Sequence, residues 1–245
     1  MTAPAGDLRL VGRLLDASNG TFLAEDSAGT RWIYKPVAGE TPLWDFPEET
    51  LGRREVAAYA LSEALGLGVV PPTVWCEGPL GEGSAQLFID AGPTDAIDLV
   101  PPEDVTHEWL PILSAVTDDD RPVILAHRDD ARLRSVALFD VLANNADRKA
   151  SHLLAAGNRI LGVDHGLTLH AEPKLRTILW GWAGDPLTDG ELSLVGLVAD
   201  LADPLAPGLT DGEWQALGSR ARAVLASGVF PLPGGGRPAI PWPPL

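Results

Sequence analysis

Asn144-Asn145-Ala146-Asp147-Arg148-Lys149-Ala150-Ser151-His152 is the densest polar cluster of the chain, and twelve residues beyond His152 stands the acid of Val163-Asp164-His165-Gly166. Before it, Asp129 to Asn144 carries Leu133, Val136, Ala137 and Leu138 on one side, which predicts a helix. After it, Leu153 to Ala156 and Arg159 to Val163 flank Gly157-Asn158, which predicts a short hairpin. A hairpin brings its two ends together, so Asp147, His152 and Asp164 converge although they lie up to 17 residues apart. One carboxylate to orient or deprotonate an acceptor and two ligands for a divalent metal are what phosphoryl transfer requires. Each piece alone has a plainer reading: Asn144 as a helix cap, Asp147-Arg148 as a solvated turn, Asp164-His165-Gly166 as a reverse turn. The order and spacing of the set favour the chemical reading.

Outward from this cluster, the first part of the chain reads as β-rich. Leu8 to Leu15, Thr21 to Asp26 and Thr30 to Tyr34 form successive strands separated by the turns Asp16 to Gly20 and Ser27-Ala28-Gly29. The third strand delivers Tyr34-Lys35-Pro36. Lysine occurs only at positions 35, 149 and 174, so each is worth a question. Glu48 to Leu65 reads as a helix with Ala57, Leu61 and Leu65 at i+4 spacing and Gly66 at its end. A strand lysine that reaches nucleotide phosphates needs an acid to fix its rotamer, and Glu55, mid-helix, is the best placed. Glu48, Glu49 and Glu63 are competitors nearer the helix ends. Thr73 to Glu77 and Ser84 to Ile89 form a further strand pair. Beyond Ala91 to Pro102, the expected hinge, the pattern reads as mostly helical: Glu103 to Val116 loosely, then the helix of Leu133 to Leu138, then about Gly190 to Leu201 and Asp211 to Ala226. Phe230 to Leu245 is Pro- and Gly-rich, a surface-bound or disordered tail.

The expected fold is therefore α+β and two-lobed, protein-kinase-like. Residues 1–90 make a small β-rich N-lobe, 91–102 a linker, 103–229 a larger, mainly helical C-lobe, and 230–245 the tail. The composition, 45% apolar and 21% charged, is that of a globular chain. Its net charge of −16 argues against a nucleic-acid partner or an anionic membrane surface. A single cysteine, Cys76, excludes internal disulfides and multi-cysteine metal sites. Neither a signal-like N-terminus nor an apolar run of spanning length is present, so a cytoplasmic location is the expectation. Walker A and Gly-x-Ser-x-Gly motifs are absent. Trp180-Gly181-Trp182 reads first as lobe packing, with an acceptor-groove wall as the alternative.

Asp147-Arg148 with a ligand position five residues on, followed by Asp164-x-Gly, resembles the phosphatidylinositol 3-/4-kinase superfamily, nearest its type II phosphatidylinositol 4-kinase branch and related to HipA-like kinases. Tyr34-Lys35-Pro36, Gly83 to Ile89 and Val163 to Thr168 support the resemblance, which runs from about Leu8 to Leu187. It implies an ATP-dependent kinase using Mg2+ or Mn2+. In it, Asp147 is the catalytic aspartate, His152 and Asp164 the metal ligands, and Lys35 with Glu55 the phosphate-holding pair. Gln86, Phe88 and Ile89 lie where adenine is held, and Ser18, Asn19 and Gly20 at the loop above the phosphates. Where the family has asparagine, this chain has His152. That departure keeps a nucleotide-binding regulator without turnover, and an AMP-transferring enzyme, as alternatives. The acceptor class left open is a soluble protein hydroxyl or a small polyol, with a membrane lipid disfavoured.

Overall fold

A computed structural model describes residues 3–14, 19–236 and 238–245. Its N-terminal layer is a five-stranded antiparallel sheet. The strands are β1 (Arg9–Arg13), β2 (Phe22–Glu25), β3 (Arg31–Pro36), β4 (Thr73–Gly78) and β5 (Gly81–Leu87), in the order β1-β2-β3-β5-β4. Alternation along β3 sends Trp32 and Tyr34 to one face, where they bury with Leu8, Ala24, Val74 and Ala85. Ile33 and Lys35 take the other face. The register pairs Ile33 with Gln86 and Lys35 with Ser84, so Gln86 shares the face of Lys35.

Helix α1 (Leu51–Ala64) follows β3. Glu48 and Glu49, expected in its first turn, precede it. Its apolar side does not close on the small sheet alone. Ala57, Ala58 and Leu61 join the large core built from α2 (Ala131–Ala143), α3 (Asp189–Ala199) and α4 (Asp211–Ser227). The helix is thereby anchored to both layers, which fixes the height of Glu55 relative to the loops beyond α2.

The helical reading of Glu103 to Val116 is corrected. Here the chain forms β7 (Trp109–Val116), the edge of a three-stranded sheet ordered β6-β8-β7 with β6 (Ile97–Val100) and β8 (Pro122–Arg128). Pro111 denies a helix its hydrogen bond and is tolerated on an edge strand, where the β7–β8 register slips between Pro111 and Leu113. β6 falls within the segment read as a hinge. Helix α2 ends as its sequence demands. Asp130 caps the start by accepting from the Arg132 N–H, and Asn144 closes the end in the left-handed conformation at φ 53°. The hairpin of β9 (Leu153–Ala156) and β10 (Arg159–Gly162) follows, turning at Gly157 with φ 63°. The tail lies on the surface: Ala239 O accepts from Thr177 N–H and Trp180 Nε1–H, and Pro244 O accepts from Ala150 N–H. No helix among the described residues is long and apolar enough to cross a membrane.

Candidate active site

Three elements far apart in sequence meet at Lys35. Its Nζ lies 2.5 Å from Glu55 Oε1 on α1 and 2.7 Å from Asp164 Oδ1, just beyond β10. Burial alone would lower the ammonium's pKa, but the charges of Asp164 and Glu55 outweigh it and hold the group protonated well above the ordinary lysine range. The same contact works in reverse on Asp164, whose carboxyl is driven far below its usual value by Lys35, against burial. Asp164 adopts φ 58°, a backbone region disfavoured for non-glycine residues, and its side chain remains 52% exposed. Glu55 is the partner the sequence indicated; Glu48, Glu49 and Glu63 take no part in the pair. Its second oxygen accepts from the His165 N–H at 3.0 Å, so α1 clamps the lysine and the acidic loop together.

His152 faces the same acid. Its Nε2 stands 3.6 Å from Asp164 Oδ2. Burial lowers the imidazole's pKa, with Arg148 and Lys149 adding to the shift and Asp164 and Asp147 opposing it. The ring is therefore neutral near pH 7, and His152 Nδ1 is buried without a hydrogen-bond partner among the described residues. A neutral imidazole nitrogen facing an ionised carboxylate oxygen is a pair in metal-ligating protonation states. Among the described residues no three His, Cys, Asp or Glu side chains gather into a self-sufficient metal cage. Two protein ligands with phosphate oxygens and water completing the shell is the usual arrangement for Mg2+ or Mn2+ at nucleotides, and the donors present fit it.

Asp147 is half-buried on the loop after α2. Its N–H donates to Asn145 Oδ1 at 3.0 Å, and its Oδ2 meets Lys149 Nζ at 3.2 Å. The charge of Asp147 reaches His152, which places it in the same electrostatic neighbourhood. Beneath these groups lies Arg148, fully buried. Its Nε and Nη2 donate to Asp140 at 2.9 Å each, its Nη1 to Val163 O at 2.9 Å, and its Nη2 to His165 Nε2 at 2.7 Å. That imidazole is held neutral, its pKa well below the usual range because of burial and Arg148. Sequence reading did not assign Asp140, Arg148 or His165 a role. The signal was an acid inside the apolar run Val136 to Ala143, where an unpaired carboxylate has no stable place. Gly162 leaves room for the guanidinium, since a Cβ there would stand 2.9 Å from Arg148 Nη2.

The remaining expected residues divide. Gln86 is buried, and its Nε2 donates to Thr73 Oγ1 at 2.9 Å, a sheet-internal role. The Phe88 N–H donates to Arg31 O, Ile89 O accepts from Ala91 N–H, and the Arg31 guanidinium stacks 4.3 Å over the Phe88 ring. Phe88 and Ile89 thus each have one backbone group committed. Asn19 Oδ1 accepts from Thr41 N–H, and the Gly20 N–H donates to Gly39 O, which ties their turn to the segment leaving β3. Ser18 lies outside the described residues. Trp182 is buried, with Nε1 donating to Asp129, so Trp180-Gly181-Trp182 packs the lobe.

No family model matches the chain. Protein Rv2133c of Mycobacterium tuberculosis (strain ATCC 25618 / H37Rv) is 46% identical over 257 residues, covering 97% of this chain and 92% of that protein. The chain belongs to the family of Rv2133c. The fold of the chain is kinase-like. A crystal structure of the Golgi casein kinase matches at a TM-score of 0.54 and 12% identity over 91% of this chain and 72% of the other. A second structure of that kinase, with Mn/ADP bound, matches at 0.55 and 13% over 91% and 73%. These matches support the two-lobed α+β architecture of this chain. They support a kinase-like fold without singling out the phosphatidylinositol-kinase branch.

Proposed function

We propose that this chain is an ATP-dependent phosphotransferase that moves a γ-phosphate to a hydroxyl of a soluble protein or a small polyol. The observation that carries the reading is the junction at Lys35, where a strand cation, a helix acid and a loop acid from 129 residues away meet within hydrogen-bond distance. On a kinase-like fold, that junction supplies a cation for the phosphates and an ionised metal ligand beside it. Residues 1–90, 91–102, 103–229 and 230–245 serve in this reading as N-lobe, linker, C-lobe and tail. The solved Golgi casein kinase carrying Mn/ADP supports nucleotide with a divalent metal as the cofactors.

Within this reading Asp164 and His152 hold the metal, which neutralises phosphate charge when bound. Lys35 contacts phosphate oxygens and gives up part of its bond to Asp164 as it does so. Asp147 takes the acceptor's proton. Lys149, 3.2 Å from Asp147, offers a cation to the transferring phosphoryl group. Phe88 and Ile89 provide adenine contacts through their uncommitted backbone groups, and Asn19 and Gly20 lie over the phosphates. Gln86 supports the strand from within the sheet. Lys174 is buried against Asp45 at 2.9 Å, so it does not serve as a basic contact for a bilayer. This strengthens a non-lipid acceptor. The type II phosphatidylinositol 4-kinase affinity of the motifs is retained as the nearest sequence pattern, with the acceptor free to differ.

His152 favours two alternatives, nucleotide binding without turnover and AMP transfer. Purified protein incubated with Mg2+ or Mn2+, a cell-extract acceptor pool and ATP labelled at the α- or γ-phosphate separates these outcomes. The expected result is transfer of γ-label only, lost in Asp147→Ala and Asp164→Ala. Transfer of α-label establishes the AMP reading. Movement of neither label, with ATP bound tightly, establishes the regulator. ATP binding that survives Lys35→Ala and Asp164→Ala unchanged overturns the site itself.

A further inference from the structure

Apart from the Lys35 junction, a cavity of about 690 Å3 opens between α2, α4, the 172–180 segment and the tail. It shares no lining residue with Lys35, Glu55, Asp147, His152 or Asp164. Much of its wall is apolar: Val141, Leu175, Trp180, Val224 and Leu232. Four charged side chains also line it. Lys174 and Glu172 are accounted for, because Lys174 Nζ pairs with Asp45 at 2.9 Å and approaches Glu172 at 3.8 Å. Arg176 and Arg220 are not. Among the described residues neither has a carboxylate within ion-pair distance, although the chain carries 34 acids against 18 basic residues. Eight other arginines, at 9, 31, 54, 121, 128, 132, 134 and 148, each pair with an acid.

The two guanidiniums are instead held by carbonyls. Arg176 donates to Pro238 O at 3.0 Å and Ile240 O at 3.3 Å, both in the tail. Arg220 donates through Nε to Leu142 O at 3.2 Å and through Nη1 to His170 O at 3.0 Å. Its Nη2 is buried and makes no hydrogen bond among the described residues. Burial without a counter-charge lowers the Arg220 pKa to about 10. Carbonyl dipoles fix the planar fork in place but leave its charge uncompensated. An apolar chamber with two pre-positioned, uncompensated guanidiniums is complementary to a molecule with an alkyl body and an anionic head.

We propose that this cavity is a second ligand site, which takes an amphipathic carboxylate of the medium-chain fatty-acid type. Its alkyl body lies along Val141, Leu175, Val224 and Leu232, and its head lies against Arg220 and Arg176. The site is independent of the phosphotransferase reading, because its readout is binding and uses no nucleotide.

Sodium decanoate and 1-decanol, each titrated calorimetrically into the full chain, test the proposal. One decanoate is expected to bind per chain, with decanol at least tenfold weaker. Arg220→Gln is expected to weaken decanoate at least tenfold. Leu232→Glu, which places an acid on the wall from an exposed position, is expected to do the same without altering the fold. Should Arg220→Gln fail to fold, Leu232→Glu decides. Folded protein that binds no decanoate, binds decanol equally well, or is indifferent to Leu232→Glu overturns the proposal.

Discussion

Arg148 and Lys35 are both cations flanked by two or more polar partners, and they are built to opposite ends. The Arg148 centre is closed: neither it nor Asp140 has any exposed side-chain surface, and its donors go to a carboxylate, carbonyls and a neutral imidazole inside the protein. The Lys35 centre is open, with the lysine side chain 21% exposed and that of Asp164 52% exposed. A closed centre spends its hydrogen bonds on shape. An open one keeps an ionised carboxylate and an ammonium facing the cleft, where a ligand can exchange for part of their mutual attraction. The lesson is that the residue giving the loops their geometry adjoins the groups available for chemistry, Arg148 beside Asp147 and bonded to Val163 and His165 on either side of Asp164, yet only the chemical groups reach the surface.

The largest expected effect comes from breaking the closed centre. Arg148→Met strands the Asp140 carboxylate in an apolar helix and should cost roughly 3–5 kcal/mol of folding stability. Chemical denaturation measures it, and pairing the change with Asp140→Leu should recover a substantial part. Breaking the open centre should show the reverse profile. Asp164→Asn should lower the denaturation midpoint less than Arg148→Met does, because Asp164 is half exposed and Lys35 keeps Glu55, while γ-transfer falls by about 10²–10³-fold. A smaller effect is expected from Gly162→Ala, which pushes a methyl against Arg148 Nη2 and should cost about 1–3 kcal/mol without changing metal preference.

The pH dependence sharpens the comparison least in size but most cleanly in sign. Burial lowers the imidazole pKa of His127, His152, His165 and His170. Each is therefore protonated in the unfolded chain before it is protonated in the folded one. Their contribution is fully present above the unfolded value of about 6.5 and is lost as pH falls below it, by up to about 1.4 kcal/mol per pH unit for each group. Denaturation midpoints at pH 7, 6 and 5 should fall in the wild type, and His165→Gln should flatten the slope. An unchanged slope in that variant would mean His165 carries a proton in the folded state, with Arg148 no longer donating to it.

Most of the architecture was legible because it rests on local chemistry. The Asn144 cap, the Gly157 turn and the alternation around Trp32 and Tyr34 each announce themselves within a few residues. Lys35 and Glu55 were legible as a pair because a cation on a strand and an acid in mid-helix make a recognisable combination. Glu103 to Val116 was misread because Trp-Leu-Pro-Ile-Leu-Ser-Ala-Val is apolar apart from Ser114, and such a run has no period that separates helix from strand. Its outcome depends on β8, a partner sequence pattern does not reveal. Asp140 and Arg148 stayed hidden for a related reason. Their pairing needs the helix end, the loop and the hairpin to be placed together, and Gly162, which admits the guanidinium, looks like any other glycine in sequence.

All three lysines of this chain sit in ion pairs: Lys35 with Glu55 and Asp164, Lys149 with Asp147, and Lys174 with Asp45. Amine acylation followed by mass spectrometry therefore has few places to mark, and two of them flank the candidate site. The rates at Lys35 and Lys149 form a natural footprint of occupancy, while Lys174, its side chain 1% exposed, is expected to stay unmarked. The same scarcity that makes the chain poor in lysine lets one reagent report on its cleft without any engineered label.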